Sequence, residues 1–416
     1  MIERTLFSDL LKHLSKKEIS LIIGPRQSGK TTLMEMLQKH LEKNGERTLY
    51  LNLDIEWDRP HLDSQLVLLK KIELELGKER GFVFIDEIQR KENAGLFLKG
   101  LFDLNLPYKF IVSGSGSLEL KEKIHESLMG RKRLFELTTI TFLEFVNHKT
   151  DYKYRDNLSS FFEIEKDKAH QLLTEYMNYG GYPRVVLESE RNEKNKIIDE
   201  IYRSVLEKDI AYLLKVEKTE AFNSLIKLLS SQIGNLVNYS ELSSTLNISH
   251  QTLKKYLWYA KKIFLLDLVS PYARNIRKEI TKSPVPYFWD LGLRNYSLGI
   301  LGHVHSPSEL GFLFENFVFL LLRTRTALSS TKLHFWRTKD KAEVDFILES
   351  GNKITPIEVK FKSLKKEEVS RSLRNFIEKY NPPETYIVNL SLKKTITLGS
   401  TTLFFIPFYE LLFKEF

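Results

Sequence analysis

The sequence contains no cysteine and no long apolar run. Without a thiol, the chain can form neither disulfide bonds nor thiolate metal sites. The longest apolar run, residues 312–322, is interrupted by Glu315 and Asn316, so it is much shorter than the roughly 20 residues of a membrane-spanning helix. The first residues do not combine a basic start with an apolar block, as a signal peptide does. We therefore expect a cytoplasmic protein that has no membrane partner.

Length and composition indicate a multidomain globular protein. A chain of 416 residues exceeds the size of one hydrophobic core, and this length indicates about three domains. With 42% hydrophobic and 28% charged residues, the composition excludes a disordered chain, which would hold fewer apolar residues. The net charge of +9 favours an anionic partner, most simply a nucleic acid, although a bound nucleotide explains part of it.

A phosphate-binding loop is present near the N-terminus. Residues 24–31 fit the pattern G-x-x-x-x-G-K-[ST], and they lie between a strand-like segment at 19–23 and a helix-like stretch at 32–40. In such a loop, backbone N–H groups converge on phosphate at the start of a helix, while the lysine reaches the β/γ-phosphates and the hydroxyl binds Mg²⁺. We therefore predict that ATP and Mg²⁺ bind at Gly24, Pro25, Arg26, Gln27, Ser28, Gly29, Lys30, Thr31 and Thr32.

A second segment, residues 81–87, is an apolar strand that ends in two adjacent carboxylates. Its continuous apolar run is typical of a buried parallel strand. At the carboxyl end of that strand, Asp86 would hold Mg²⁺ together with Thr31, and Glu87 would polarise a water for attack on the γ-phosphate. The alternative is a helix N-terminus that carries two acids for its dipole. The nearby phosphate-binding loop favours the first interpretation, so we predict hydrolysis rather than binding alone.

Five strand-like segments alternate with helical stretches in the first third of the chain. They lie at residues 18–23, 48–53, 82–85, 110–113 and 134–137. This alternation is typical of a parallel sheet that helices cover on both sides. The fourth strand would lie beside the two motif-bearing strands, which would bring Ser113 or Ser115 close enough to sense the γ-phosphate. The alternative for these serines is a simple Ser/Gly turn.

The segment after this sheet suggests a helical lid. Arg131 and Arg133 follow a helix, and they would either project into the site of a neighbouring subunit in a homo-oligomer or stabilise the helix dipole. A polar, turn-rich stretch begins after residue 146 and marks a domain boundary. Helical patterns then run from residue 158 to about 215, interrupted by Gly-Gly-Tyr-Pro at 180–183.

A helix-turn-helix pattern occupies residues 221–264. Helical spacing covers residues 221–233, a short helix follows with Ser240 as its cap, and Ser249 caps a longer helix. Apolar segments on either side of the basic stretch 274–282 would form a hairpin wing.

The longest helix of this pattern has a polar face that suits DNA. Leu253, Leu257 and Ile263 would turn inward. The predicted DNA contacts on the same helix are His250, Gln251, Lys254 and Lys255. Such a face fits a major groove or its phosphates. The alternatives are a winged helix that contacts a protein and basic side chains that are only solvated.

Charged side chains in the last quarter suggest a metal-dependent nuclease site. Asp345 lies in a strand after a basic turn, on the side opposite Val344. In the next strand, Glu358 and Lys360 share a face because side chains alternate. Asp345 and Glu358 would bind one divalent ion that activates water, while Lys360 would stabilise charge. Glu315 is a candidate outer ligand, since an acid in an apolar helix is costly unless it faces a polar site. The alternative is an edge hairpin with solvated charges.

Together these motifs resemble a family of archaeal and bacterial AAA-type ATPases with a conserved C-terminal domain. The shared features are the phosphate-binding loop, the acidic pair at 86–87, the serine-glycine run from Ser113, the Gly-Arg at 130–131 and the Gly-Gly-Tyr-Pro turn. The resemblance implies an α/β fold with an AAA-like P-loop sheet, a helical lid, a winged helix and a C-terminal α/β domain like restriction endonucleases. We assign these units to residues 1–146, 147–217, 218–300 and 301–416.

The last unit also resembles the D-(x)n-E-x-K nuclease superfamily, including the helical glutamate of its junction-resolving members. Asp345, Glu358, Lys360 and Glu315 supply this pattern, although Val344 replaces the usual proline. A fold that is retained without cleavage, as a DNA- or protein-binding module, is a further possibility.

We interpret the chain as an ATP-hydrolysing switch joined to a DNA-binding, nuclease-like module. The strongest rival is a nucleotide-gated signalling or scaffold protein that binds partners and cuts nothing. A lesser rival is a P-loop kinase, which is disfavoured because Asp86 and Glu87 supply a water-activating acid.

Overall fold

A computed structural model describes residues 2–115, 127–205, 219–273, 283–326, 329–338, 340 and 342–416. Two β-sheets organise these residues, one near each end of the chain, and a helical region lies between them in the sequence. Within the described ranges, no helix is both long enough and apolar enough to cross a bilayer.

The N-terminal sheet is parallel and has five strands. These are β1 (Ile19–Gly24), β2 (Thr48–Asn52), β3 (Gly81–Asp86), β4 (Tyr108–Ser115) and β5 (Lys132–Glu136). Their order is β2, β3, β4, β1, β5. The helices around them are α1 (Leu6–His13), α2 (Lys30–Lys43), α3 (Gln65–Leu76) and α4 (Ala94–Asp103). The predicted parallel α/β sheet is confirmed, and β4 lies between β1 and β3.

Burial on both faces explains why these segments form a parallel sheet. Every residue of β1, β3 and β4 is buried, as strands covered on both sides require. One apolar cluster packs against α3 and α4, and a second packs against α1 and α2. Helix α2 continues beyond the predicted end at residue 40, because Leu41 still packs into the core.

Eight helices occupy the described part of the middle region. They are α5 (Phe142–Lys149), α6 (Leu158–Ile164), α7 (Lys166–Tyr179), α8 (Pro183–Leu187), α9 (Arg191–Ser204), α10 (Thr219–Ser230), α11 (Tyr239–Leu246) and α12 (His250–Lys262). The interruption predicted at 180–183 is present, since α7 ends at Tyr179 with Gly180 as its C-cap and α8 begins at Pro183. The end of the predicted helical run, from residue 206 to about 215, lies outside the described residues.

The caps of α11 and α12 show how local the helix signals are. The prediction that Ser240 caps α11 is wrong. The cap is Asn238, whose Oδ1 accepts a hydrogen bond from the Glu241 backbone at 3.2 Å. Ser249 caps α12 as predicted, and its Oγ accepts from the Thr252 backbone at 3.0 Å. The inward residues predicted for this helix are buried, namely Leu253, Leu257 and Ile263.

The C-terminal sheet is mixed and has eight strands. They are β6 (Leu266–Pro271), β7 (Val285–Phe288), β8 (Lys332–Arg337), β9 (Glu343–Ser350), β10 (Lys353–Val359), β11 (Glu384–Asn389), β12 (Lys394–Leu398) and β13 (Thr401–Pro407). Their order is β12, β13, β11, β10, β9, β8, β6, β7. The accompanying helices are α13 (Leu291–Ser297), α14 (Pro307–Thr326) and α15 (Arg371–Tyr380).

Two features of this sheet differ from the sequence-based expectations. Strands β9 and β10 lie inside the sheet between β8 and β11, so the alternative of an edge hairpin is wrong. The hairpin of β6 and β7 extends the same sheet, because Ser270 and Pro271 pair with His334 and Phe335 of β8. The basic stretch 274–282, which the sequence pattern places in that hairpin, is outside the described residues.

The helical region and the C-terminal sheet share one hydrophobic core. Phe142 of α5 contacts Phe317 of α14 edge to face, with ring centroids 5.0 Å apart. Phe162 of α6 stacks on Tyr409 with centroids 5.2 Å apart. Aromatic contacts of this kind add to the energy of burial. The end of the first unit, which holds Phe142, and the units that follow residue 146 therefore pack against one another and are not joined only by the chain.

Candidate functional site

The phosphate-binding loop follows β1 and leads directly into α2. Gly29 caps that helix with φ of 93°, a left-handed conformation that favours glycine. A Cβ at Gly24 would lie 2.0 Å from the Leu137 carbonyl oxygen, so only glycine fits there. Lys30 Nζ donates to the carbonyl oxygens of Gly24 at 3.2 Å and Pro25 at 2.8 Å. The ammonium group therefore lies within the loop that the motif predicts for phosphate.

Asp86 is buried at the end of β3, and its carboxylate accepts hydrogen bonds from three side-chain hydroxyl groups. Thr31 Oγ1 donates to its Oδ2 at 2.6 Å, and Tyr50 OH donates to the same oxygen at 3.0 Å. Ser113 Oγ donates to Oδ1. The structure thus brings Thr31, Asp86 and Ser113 together. Burial and then Asp86 raise the pKa of Tyr50, so its phenol remains a donor at neutral pH. Sequence spacing alone does not identify Tyr50, because β2 carries no motif.

Glu87 follows Asp86 in a left-handed backbone conformation with φ of 56°, which is uncommon for a residue other than glycine and is often found at functional sites. Gln89 Nε2 donates to its carboxylate, and Gln89 Oε1 accepts from the Ser115 backbone at 3.2 Å. Burial, opposed by Lys30 and Gln89, raises the pKa of Glu87. Glu87 therefore lies next to the hydroxyl cluster, and Gln89 connects it to β4.

A buried arginine that no motif predicts connects the phosphate-binding loop to the start of α5. Arg4 Nη1 donates to the Ser28 carbonyl at 2.9 Å, and Nη2 donates to the Thr138 carbonyl at 2.7 Å. Its Nε pairs with Glu144 Oε2 at 3.1 Å. The only sequence signal for this network is the T-x-x-E spacing from Thr141 to Glu144, which forms a capping box on α5.

Removing this arginine should destabilise the protein. We expect Arg4→Met to lower the free energy of unfolding by about 3–5 kcal/mol, because Glu144 would remain buried without its cation. Urea denaturation measures the loss. Arg47→Met is the matched control, since Arg47 pairs with Glu79 on the surface, and it should cost about 1 kcal/mol or less. Equal losses in the two variants would contradict a structural role for the buried pair.

The Gly-Gly-Tyr-Pro turn brings α8 next to the phosphate-binding loop. Gly181 N donates to the buried Asp290 Oδ2 at 2.8 Å, and burial raises the pKa of Asp290 to about 6. Arg184 Nη1 donates to Gln27 Oε1 at 3.4 Å and pairs with Glu200 at 2.9 Å. The first turn of α8 therefore contacts the phosphate-binding loop through Arg184 and Gln27.

Arg131 and Arg133, which are predicted either to reach the site of a neighbouring subunit or to stabilise a helix dipole, have contacts within their own chain. Arg131 Nε donates to Asp103 Oδ1 at 2.7 Å. The Arg133 guanidinium lies over the Phe135 ring at 5.7 Å. Their action on a neighbouring subunit stays a prediction.

The predicted DNA-contacting side chains of α12 are all exposed. They are His250, Gln251, Lys254 and Lys255. Trp258 continues this surface, and Lys262 Nζ lies over its ring at 5.1 Å. An aromatic ring among cations is a feature of nucleic-acid surfaces, and sequence spacing does not identify it.

Asp345, Glu358 and Lys360 lie together at one end of β9 and β10. Lys360 Nζ pairs with Glu358 Oε1 at 2.6 Å, and Ser370 Oγ donates to Glu358 Oε2 at 2.9 Å. Val359 N donates to Asp345 Oδ2 at 2.6 Å. Burial lowers the pKa of Lys360, but the nearby carboxylates raise it by more, so its pKa is raised overall. The structure brings the three predicted side chains together, and their chemistry stays a prediction.

Glu315 approaches this cluster from α14. Tyr287 OH donates to Glu315 Oε1 at 2.5 Å, and burial raises the pKa of Glu315 to about 7. Burial, followed by Glu315 and Glu358, raises the pKa of Asp345 well above its usual range. These acids therefore repel one another in a region of low polarity, and a cation there would relieve that repulsion.

The carboxylates do not form a complete metal-binding group. Among the residues that the structure describes, no three His, Cys, Asp or Glu side chains are arranged to hold a metal ion. The predicted ligand set of Glu315, Asp345 and Glu358 is therefore not assembled, because each carboxylate is turned toward a different hydrogen-bond donor. Their oxygens are nevertheless the donor type that Mg²⁺ prefers, so the residues present fit that ion in chemistry.

Known families match three successive parts of the chain. The AAA domain matches residues 16–146, a domain of unknown function (DUF8612) matches 170–303, and a second domain of unknown function (DUF4143) matches 310–410. An uncharacterized protein of Haemophilus influenzae is 30% identical over 357 residues, which cover 82% of each chain. The chain belongs to this AAA-domain family.

Other relatives in the AAA-domain family come from distant organisms. An uncharacterized protein of Methanocaldococcus jannaschii is 27% identical over 351 residues, covering 83% of this chain and 75% of that one. An uncharacterized protein of Mycobacterium tuberculosis is 27% identical over 370 residues, covering 88% and 75%. The predicted order of an AAA domain followed by a conserved C-terminal domain is confirmed. The predicted winged helix and nuclease-like identity stay predictions.

Solved structures give only a weak likeness. Aeropyrum pernix Orc1 in complex with DNA is 12% identical, with a TM-score of 0.30 over 71% of this chain and 92% of that chain. AMPPCP-bound DnaA from Aquifex aeolicus is 14% identical, with a TM-score of 0.26 over 62% and 86%. Scores of this size do not establish a shared overall fold.

Proposed function

We propose that this AAA-domain protein hydrolyses ATP and couples that reaction to a C-terminal module that binds and cleaves DNA. The observation that carries the ATPase proposal is the buried Asp86, which gathers Thr31 and Ser113 beside the phosphate-binding loop. Glu87 lies next to this cluster, at the carboxyl end of β3. An acid at this position can orient water for attack on a γ-phosphate.

Each residue of the nucleotide site has a separate task. Lys30 would neutralise the β/γ-phosphates, because its ammonium group already lies within the loop. Thr31 and Asp86 would hold Mg²⁺, which supplies charge neutralisation for the phosphates when it is bound. Ser113 lies on β4 and would sense the γ-phosphate by exchanging its hydrogen bond to Asp86 for one to the phosphate. Glu87 would accept a proton from the attacking water. Its pKa is raised toward neutral pH, which suits a general base.

Phosphate release from ATP in the absence of any acceptor tests this proposal. It also separates an ATPase from the rival P-loop kinase, which would need an acceptor to turn over. A nucleotide-gated signalling or scaffold protein would hydrolyse ATP as well, so the rival that cuts nothing has to be tested at the C-terminal site.

We propose that α12 contacts DNA as the recognition helix of a winged helix. Its exposed polar face supports this, because two lysines, a glutamine and a histidine lie near the helix start. The net charge of +9 also favours an anionic partner. In this proposal, residues 218–300 form the DNA-binding unit. They follow a helical lid at 147–217 and precede the nuclease-like unit at 301–416.

Charge removal on α12 should weaken DNA binding. Replacing Lys254 and Lys255 with alanine should lower affinity across sequences and reduce the slope of log K against log salt by about 0.9 for each phosphate that is no longer neutralised. Fluorescence anisotropy at several salt concentrations measures both quantities. Lys166 and Lys168 are also exposed but lie on α7, so their double alanine variant is the matched control. An unaltered slope in the α12 variant would favour a protein-binding winged helix.

We propose metal-dependent phosphodiester hydrolysis for the C-terminal site. The supporting observation is that Lys360 pairs with Glu358 while Asp345 accepts a hydrogen bond from the intervening Val359 backbone, near the ends of two central strands. Asp345 and Glu358 would hold Mg²⁺, which would activate water and neutralise the phosphate when bound. Lys360 would stabilise the charge that develops on the phosphate, since its pKa is raised and it remains a cation.

A further inference from the structure

A single helical turn after β3 anchors the backbone of the proposed general base. Glu87 has a left-handed conformation with φ of 56°, and a residue other than glycine keeps such a conformation only where its surroundings impose it. The turn that follows supplies those surroundings. Ile88 is fully buried, and Arg90 Nε pairs with Asp54 Oδ1 at 2.7 Å. The backbone is therefore held on both sides of Gln89.

The Gln89 amide bridges the base and a neighbouring strand. Its Nε2 donates to Glu87 Oε2, and its Oε1 accepts from Ser115 N at 3.2 Å. Only this orientation of the amide satisfies both partners, because a reversed amide would turn its oxygen toward the carboxylate and its donors toward another N–H. Ser115 pairs in turn with Gly24, the first residue of the phosphate-binding loop. Gln89 therefore fixes the Glu87 carboxylate relative to that loop.

The other oxygen of this carboxylate is left for water. Among the residues that the structure describes, no group donates a hydrogen bond to Glu87 Oε1. Lys30, Asp86 and Asp54 act on the carboxylate through their charge, and a charge has less directional effect than a hydrogen bond. The bond from Gln89 is therefore the contact that sets the direction in which Oε1 points.

We propose that Gln89 is a positioning residue for ATP hydrolysis, which holds Glu87 so that Oε1 faces the water that attacks the γ-phosphate. This inference rests on the proposed ATPase function of the nucleotide site. Oε1 takes a proton from the water while the water oxygen bonds to the γ-phosphorus, and the bond from that phosphorus to the bridging oxygen of ADP breaks. Gln89 exchanges no proton and contributes orientation, and a misplacement of about 1 Å can slow a reaction about 10²-fold.

Turnover and nucleotide binding should respond differently to the loss of this amide. We expect Gln89→Leu to lower kcat for ATP hydrolysis about 10- to 100-fold. Its dissociation constant for AMPPCP, an ATP analogue that is not hydrolysed, should equal that of the wild type, because no phosphate contact is removed. A phosphate-release assay and calorimetry on the full chain measure the two quantities. Gln38→Leu is the matched control, since Gln38 Nε2 donates to Glu42 Oε1 at 2.9 Å on α2, and it should hydrolyse ATP as the wild type does.

Two further variants separate orientation of the base from a general loosening of the site. Gln89→Glu keeps the acceptor for Ser115 N and loses the donor to Glu87, so its kcat should fall as well, with AMPPCP affinity unchanged. Because Gln89 is proposed to act only through Glu87, Gln89→Leu combined with Glu87→Gln should hydrolyse ATP no more slowly than Glu87→Gln alone.

The outcomes distinguish this inference from the function on which it rests. Losses that multiply in the double variant overturn the inference, as does an AMPPCP affinity that falls as far as kcat. Wild-type turnover in Gln89→Leu or Gln89→Glu, with slow turnover in Glu87→Gln, also overturns it and leaves the proposed ATPase intact. Absence of phosphate release from ATP by the wild type overturns both.

Discussion

Lys30→Ala should lose ATP binding, whereas Glu87→Gln should keep ATP bound and hydrolyse it about 10²- to 10⁴-fold more slowly, the usual contribution of a general base. The difference follows from position. Lys30 donates to carbonyl oxygens of the phosphate-binding loop itself, so its removal takes away the cation that faces the phosphates. Glu87 lies beyond Asp86 and outside the loop, so an isosteric amide removes proton acceptance without removing a phosphate contact.

Calorimetric titration with ATP and a phosphate-release assay separate these two effects. Lys39→Ala is the matched control for Lys30→Ala, because Lys39 is an exposed lysine of the same helix. It should bind and hydrolyse ATP as the wild type does. Equal binding in the Lys30 and Glu87 variants, with unchanged turnover, would contradict both assignments.

Much of the nucleotide site could be predicted because its signals are local or follow from strand order. The loop motif specifies Lys30 and Thr31 through spacing alone. Asp86 ends β3, and Ser113 lies two residues before the end of the neighbouring parallel strand β4. The carboxyl ends of such strands meet at one edge of the sheet. The hydrogen bonds from Thr31 and Ser113 to Asp86 are therefore a consequence of topology that the sequence indicates.

Other residues could not be predicted because their partners are distant or lack a motif. Arg4 and Glu144 are 140 positions apart, and no periodicity connects a single arginine to a capping-box glutamate. Tyr287 alternates like any strand residue, so its bond to Glu315 becomes visible only when α14 packs on β7. Side chains such as these depend on tertiary packing, which single-sequence patterns do not encode.

Two local signals are misleading for physical reasons. Asn238 and Ser240 are both good helix caps, and the shift of two residues from the predicted cap is within the usual uncertainty of a helix boundary. The local pattern predicts a separate wing after α12, but β6 also pairs with β8. A strand with unpaired backbone groups gains hydrogen bonds by joining a neighbouring sheet, and this gain is absent from any local pattern.

Cleavage of DNA should depend on the charged side chains of the C-terminal sheet where β9 begins and β10 ends, namely Asp345, Glu358 and Lys360. With Mg²⁺ or Mn²⁺, the purified protein should nick or resolve DNA, and Asp345→Ala, Glu358→Ala and Lys360→Ala should each abolish cutting. The first two remove oxygens proposed to hold the ion, and the third removes the cation paired with Glu358 at 2.6 Å. Gel assays on linear, branched and single-stranded substrates measure this loss.

The same sheet provides a matched control for this prediction. Lys353 and Glu384 also form a lysine–glutamate pair, at 3.1 Å, but they lie away from Asp345 at the other end of β10. Lys353→Ala and Glu384→Ala should cut DNA as the wild type does. ATP hydrolysis should survive all five changes, because the AAA domain occupies residues 16–146. A pair that only stabilises the sheet would give similar small effects at both ends.

The contrary result would be equally informative. If every substrate stays intact with either metal, and if calorimetry shows no divalent-ion binding that Asp345→Ala removes, the nuclease proposal is wrong. Some of the buried acids would then be protonated, as the raised pKa values of Glu315 and Asp345 allow. Lys360 would balance the charge on Glu358. Under that outcome the C-terminal sheet would act as a binding module that the ATPase controls without cleaving its partner.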